Sequence, residues 1–185
     1  LILQWAQLQP RILFDETVLR GALDDIEVLV LPFCDVLTES VAERIQRFQD
    51  RGGIVVADEH LTPRLTADIL LESRRRADRA AEDKAALLRK ALDLRLELDA
   101  FYTRYGESTN PDVIVRFRQL ADADYLFAVN DHRTYGDYVG HHGRVMETGL
   151  ASMTELRVRR APGAVYDLVA HRQVPVRATD EGMAF

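Results

Sequence analysis

The apolar positions of this chain change their period twice between the N- and C-terminus. The first third holds compact apolar blocks. Ile26 to Leu31 is nearly all apolar, as expected of a strand covered on both faces of a parallel sheet. Pro32 ends it, because proline has no N–H for a ladder. Thr38 stands where a helix can start, and Val41, Ile45 and Phe48 recur at one-turn spacing, so a helix with a single apolar face is predicted. Gly52-Gly53 supplies the positive-φ residue of a C-cap, and Ile54 to Ala57 reads as a second buried strand. A strand, crossover helix and strand in this order form a right-handed parallel unit. The apolar stretch Arg11 to Phe14 is expected to add a third strand, with Asp15-Glu16 at its carboxyl edge. Leu1 to Leu8 reads as the tail of an apolar helix.

The period then lengthens. Ala80, Leu87, Ala91, Leu94, Leu98, Phe101 and Tyr105 step by fours and threes, interrupted at Lys84. That heptad seam predicts one helix over about 74–105, roughly 45 Å long at 1.5 Å per residue. It serves either as a spine along two units or as a pairing face for another chain, and Gly106 is expected to stop it. Past the linker Ser108-Thr109-Asn110-Pro111 the period falls to two. Short strands are expected near 113–117, 125–129, 155–159, 164–169 and 172–176, spaced as in an antiparallel sandwich. The expected fold class is therefore an incomplete α/β parallel sheet of the flavodoxin-like or amidotransferase-like kind, followed by a long helix and a partial antiparallel β-sandwich. The expected boundaries are 1–73, 74–108 and 109–185.

Composition narrows the function classes. With 185 residues and 47% hydrophobic content, the chain has the make-up of one ordinary domain or two small ones. The net charge is −6, which argues against a duplex-binding surface. No apolar run is long enough to cross a bilayer. Nucleic acid and membrane are therefore not expected partners, and no cofactor is expected. Cys34 is the single cysteine, which excludes an intrachain disulfide and leaves the compartment open. Leu1 in place of methionine suggests a piece of a longer protein.

The stretch VLVLPFCDVLTESVAERIQRFQDRGGIVVADE resembles the class I glutamine-amidotransferase-like domain attached to certain glycoside hydrolases, above all the trimerisation domain of bacterial β-galactosidases. Leu31-Pro32, Leu37-Thr38, Ile45, Phe48, Gly52-Gly53 and Ile54 to Ala57 carry the resemblance. Val129-Asn130 and Val165 to Leu168 are similar to the β-sandwich that often follows such a domain. The resemblance implies a non-catalytic accessory and oligomerisation module, with the catalytic carboxylates on an N-terminal domain of the same protein. A homo-oligomer is expected, with carbohydrate as a further candidate partner. The long helix departs from the pattern.

Four groups carry candidate chemistry. Cys34, the candidate nucleophile of an amidotransferase-like hydrolase, lacks the glycine-flanked elbow of true amidotransferases, so a structural thiol is expected. Asp58-Glu59-His60 lies at the carboxyl edge where open α/β sheets bind ligands. Asp58 and Glu59 are the candidates for acid–base work or cation binding, against a reading as solvated or capping acids. Asn130, Asp131, Tyr135 and Tyr138 suit sugar hydroxyls and ring stacking, as in a carbohydrate-binding sandwich. His132, His141 and His142 are candidate metal ligands, although their spacing fits no compact motif, and an ordinary packed loop is the leading reading of this stretch. The arginines of 157–160 read as the wet side of a strand. Those of 74–76 sit at a helix start, where the dipole disfavours cations.

Overall fold

The computed structural model describes residues 1–73, 80–139 and 144–185, without the side chains of 80–82, 135–139 and 144–146. Along the first half run α1 (Ile2–Trp5), α2 (Asp15–Leu19), β1 (Val28–Leu31), α3 (Glu39–Asp50), β2 (Ile54–Ala57), β3 (Ile69–Leu70) and α4 (Ala80–Leu98). The second half holds β4 (Gly106–Ser108), β5 (Val113–Leu120), β6 (Ala123–Asn130), β7 (Arg133–Val139) and β8 (Arg144–Gly149). It continues with β9 (Leu156–Val158), β10 (Val165–Asp167), β11 (Arg172–Val174), β12 (Arg177–Thr179) and β13 (Gly182–Ala184). Two compact units result: Pro10–Arg76 with Asp93–Tyr102, and Leu1–Gln9 with Ala77–Leu92 and Thr103–Phe185.

The first unit holds the parallel sheet, in the order β1-β2-β3. Val28 to Leu31 lie in register with Ile54 to Ala57, and Val56-Ala57 with Ile69-Leu70. Helix α3 buries Val41, Ala42, Ile45 and Phe48, the face its periodicity predicts. Val41, Ile45 and Phe48 join Leu29, Val55, Ala57, Val18, Leu23 and Leu65 in one core. Thr38 is the N-cap of α3, but its hydroxyl makes no capping bond and lies 3.4 Å from the Ser40 hydroxyl. The C-terminus closes as a Schellman motif. Gly52 has φ +95°, its N–H donates to the Gln49 carbonyl at 2.8 Å, and the Gly53 N–H donates to the Phe48 carbonyl at 2.9 Å.

Residues 11–14 form no strand. Phe14 instead caps α2: its N–H donates to the Thr17 hydroxyl at 2.9 Å, which donates back to the Phe14 carbonyl at 2.7 Å. Asp15 and Glu16 thus occupy a helical first turn, where the dipole favours acids, rather than a strand end. The third parallel strand is β3, in a segment for which no strand is expected from the sequence. Two residues suffice because Asp68 extends the ladder. Its N–H donates to the Val55 carbonyl at 2.8 Å, and its carboxylate accepts the Val55 N–H at 2.7 Å.

Helix α4 ends at Leu98, short of the expected Tyr105. The Phe101 and Tyr102 N–H groups turn back to the Leu98 carbonyl at 3.0 and 2.8 Å. The expected opening over 74–79 lies outside the described residues. Ala91, Leu94 and Leu98 of the seam are buried within the chain, so this stretch of it is not free to pair with another copy. Gly106 does not stop a helix; it opens β4, where a Cβ would collide with the Phe117 ring and crowd the Arg157 carbonyl.

The second unit is antiparallel, as period two predicts, but divided into small sheets. Four strands pair in the order β12-β13-β9-β4, while β5-β6, β7-β8 and β10-β11 are two-stranded. Trp5 and Ala6 pack with Ala91 in its small apolar cluster. Polar side chains do much of the joining. Gln7, buried, donates to the Val113 carbonyl at 3.2 Å and accepts the Ser108 N–H at 3.1 Å. The Ser108 hydroxyl lies 2.7 Å from both the Thr154 hydroxyl and the Asn110 carbonyl. Lys84 pairs with Asp112 at 3.0 Å. Among the described residues no helix is long and apolar enough to cross a membrane.

Candidate functional site: the carboxyl edge of the parallel sheet

Strands β1 and β2 end side by side, so Phe33-Cys34-Asp35 and Asp58-Glu59-His60 share one edge. Asp58 is almost wholly buried. One of its carboxylate oxygens accepts the Phe33 N–H at 2.7 Å and the other accepts the His60 N–H at 3.0 Å. The Thr62 N–H donates to the Cys34 carbonyl at 2.8 Å. The two loops are thereby tied together. Phe33 is held at φ +49°, a conformation a bulky residue adopts only at a cost. Its ring packs on His60 with centroids 4.4 Å apart, tilted by 45°.

Glu59 turns to the segment after β3. Its carboxylate accepts the Ser73 N–H at 2.8 Å and the Ser73 hydroxyl. Those bonds, the hydroxyl first, hold its carboxyl down to about 2 from the ordinary 4.5. The His60 imidazole lies 3.5 Å away. Cys34 is half-buried, and its thiol is pushed up by that burial and then by the negative charges of Asp15, Asp35 and Asp58. A thiol surrounded by three carboxylates keeps its proton, and the protonated form is a poor nucleophile. Glu59 stays charged to low pH and so lacks the poise of a general acid.

The structure thus brings Cys34, Asp58 and Glu59 to one edge and commits the two carboxylates to backbone and hydroxyl donors. The described members of the sugar and metal candidate groups are held by other partners. The Asn130 side chain donates to the Leu150 carbonyl at 2.7 Å and accepts the His132 N–H at 3.0 Å. The Asp131 carboxylate pairs with Arg133, which also reaches Glu147. His132 Nδ1 lies 3.1 Å from the Ala151 carbonyl. Tyr135 and Tyr138 lie on β7, opposite Glu147 and Val145, with a register shift between them. Their side chains lie outside the described residues, as do His141 and His142. Among the described residues, no group of three His, Cys, Asp or Glu is placed to hold a metal ion.

Sequence reasoning misses two residues of the edge. Ser73 has no motif, being brought to Glu59 only by β3. Phe33 has none either, since phenylalanine carries no preference for the left-handed region. No family model, curated protein or solved structure matches this chain.

Proposed function

We propose that this chain is a non-catalytic accessory and self-assembly module, of the amidotransferase-like type found in glycoside hydrolases of the β-galactosidase kind. In this reading the parallel unit is a reduced flavodoxin-like sheet, α4 is a connecting helix and the antiparallel strands derive from a β-sandwich. The module supports a catalytic domain of the same protein and contributes no reacting group. One observation carries the reading. The buried Asp58 carboxylate, at the position an α/β enzyme would use for chemistry, is occupied by the Phe33 and His60 backbone N–H groups. The protonated Cys34 thiol beside it speaks against an amidotransferase-like hydrolase.

The test is turnover of an aryl galactoside by the purified chain. None is expected. Turnover abolished by Asp58→Asn or Glu59→Gln, in variants that remain folded, overturns the reading. Self-association is read separately, by light scattering across a concentration series.

A further inference from the structure

The carboxyl edge is more than a set of tied loops. It holds apolar side chains out in solvent. Phe33 is 63% exposed and Val36 81% exposed, and Phe14 stands exposed beside Asp15. Burying Asp58 to fix a phenylalanine in the left-handed region is costly, and the ring so placed, packed on His60, stays in water. Strain of this kind gives reason to look for a role for the ring it places. Asp15 and Asp35 border the patch; neither forms an ion pair among the described residues, and both act on the Cys34 thiol between them. The nearby Arg64 is already paired with Glu39, at 3.7 Å. The edge is therefore apolar with an acidic border.

The β5–β6 hairpin carries the opposite pattern. Tyr125, Phe127 and Val129 alternate along β6 and are all exposed. They stand directly across from Arg118, Arg116 and Ile114 of β5, so all six share one face. The other face carries Val113 and Val115, which are buried. Arg118 is exposed and unpaired among the described residues. Arg116 reaches the Leu8 carbonyl at 3.0 Å. This face is apolar and aromatic with a basic border.

Resting on the assembly reading above, we propose that the occupant of the carboxyl edge is the β5–β6 face of a second copy of this chain. Phe33 and Val36 would meet Tyr125 and Phe127, with Asp15 and Asp35 opposite Arg118 and Arg116. Complementary charge aligns such a contact, and its apolar centre supplies most of the affinity. Because two different surfaces meet, the contact is heterologous. An open assembly keeps one free surface of each kind, one at either end, unless the ring closes.

The test uses Phe33→Asn and Phe127→Ser in the full chain, followed by sedimentation velocity. Asparagine tolerates the left-handed region better than phenylalanine, so Phe33→Asn is expected to remain folded while its association weakens about tenfold or more, as for loss of a central interface residue. Phe127→Ser is expected to do the same. Mixing the two variants restores association, because each retains the surface the other has lost. The charge exchange Asp35→Arg with Arg118→Asp is expected to associate better than either single change. If the wild type associates and neither variant weakens it, or if the mixture gains nothing, this pairing is overturned while self-assembly stands. A wild type that stays monomeric at high concentration overturns the assembly reading itself.

Discussion

The parallel and antiparallel units differ in how apolar burial and polar bonding are shared out. In the parallel unit the buried face of α3 meets β1 and β2 in a continuous apolar core. Its polar bonds trim loop ends. In the antiparallel unit the hairpin β5–β6 keeps only Val113 and Val115 buried, and β10–β11 buries nothing. Apolar burial among the described residues of this unit centres instead on Trp5, Ala6 and Ala91 and on Val158, Met183 and Ala184. Side chains such as Gln7, Ser108, Asn110 and Thr154 take over the joining. Burial is non-directional and tolerates variation in sequence. A buried polar hub is directional, and each member left without its partner carries a desolvation cost.

Substitutions can break this contrast. The largest effect is expected in the parallel core: Phe48→Ala removes a fully buried ring and should cost about 3–5 kcal/mol, read by urea unfolding. In the antiparallel unit the change that matters removes no bulk. Ser108→Ala deletes one oxygen that bonds Asn110 and Thr154 and should cost about 1–3 kcal/mol. A near-zero cost there would mean that packing, not hydrogen bonding, holds the strands.

The smallest effect belongs to Glu59, which is exposed. Its carboxyl is depressed in the folded chain, so its contribution is complete above the unfolded value of 4.5. It is lost as pH falls through about 2. The stability difference between the wild type and Glu59→Gln should narrow across that window and vanish below it. A difference independent of pH would remove the Ser73 clasp as its cause.

The same contrast decides what was legible in the sequence. The unit from Val28 to Ala57 is readable because burial leaves a period: apolar runs for β1 and β2, one-turn spacing for α3, and Gly52 at the positive-φ turn that ends the helix. Arg11 to Phe14 misleads because its three apolar residues fit a strand or a helix approach equally well. The Thr17 hydroxyl that decides between them lies outside the run. Strand β3 is too short for any period. Hairpin β7–β8, with Arg133, Thr134, Glu147 and Thr148 along it, is too polar to show one. At the carboxyl edge the order of residues places Asp58 correctly but says nothing of its direction. That direction depends on Phe33, 25 positions away, and separates a structural acid from a catalytic one.

The most direct measurement of this account is the stability of Asp58→Asn, because the account turns on Asp58 being structural. Asparagine keeps the shape but retains only one acceptor oxygen for two backbone N–H groups. Urea unfolding is expected to show a loss of about 1–3 kcal/mol. A variant as stable as the wild type would contradict the structural role and return Asp58 to the candidates for chemistry.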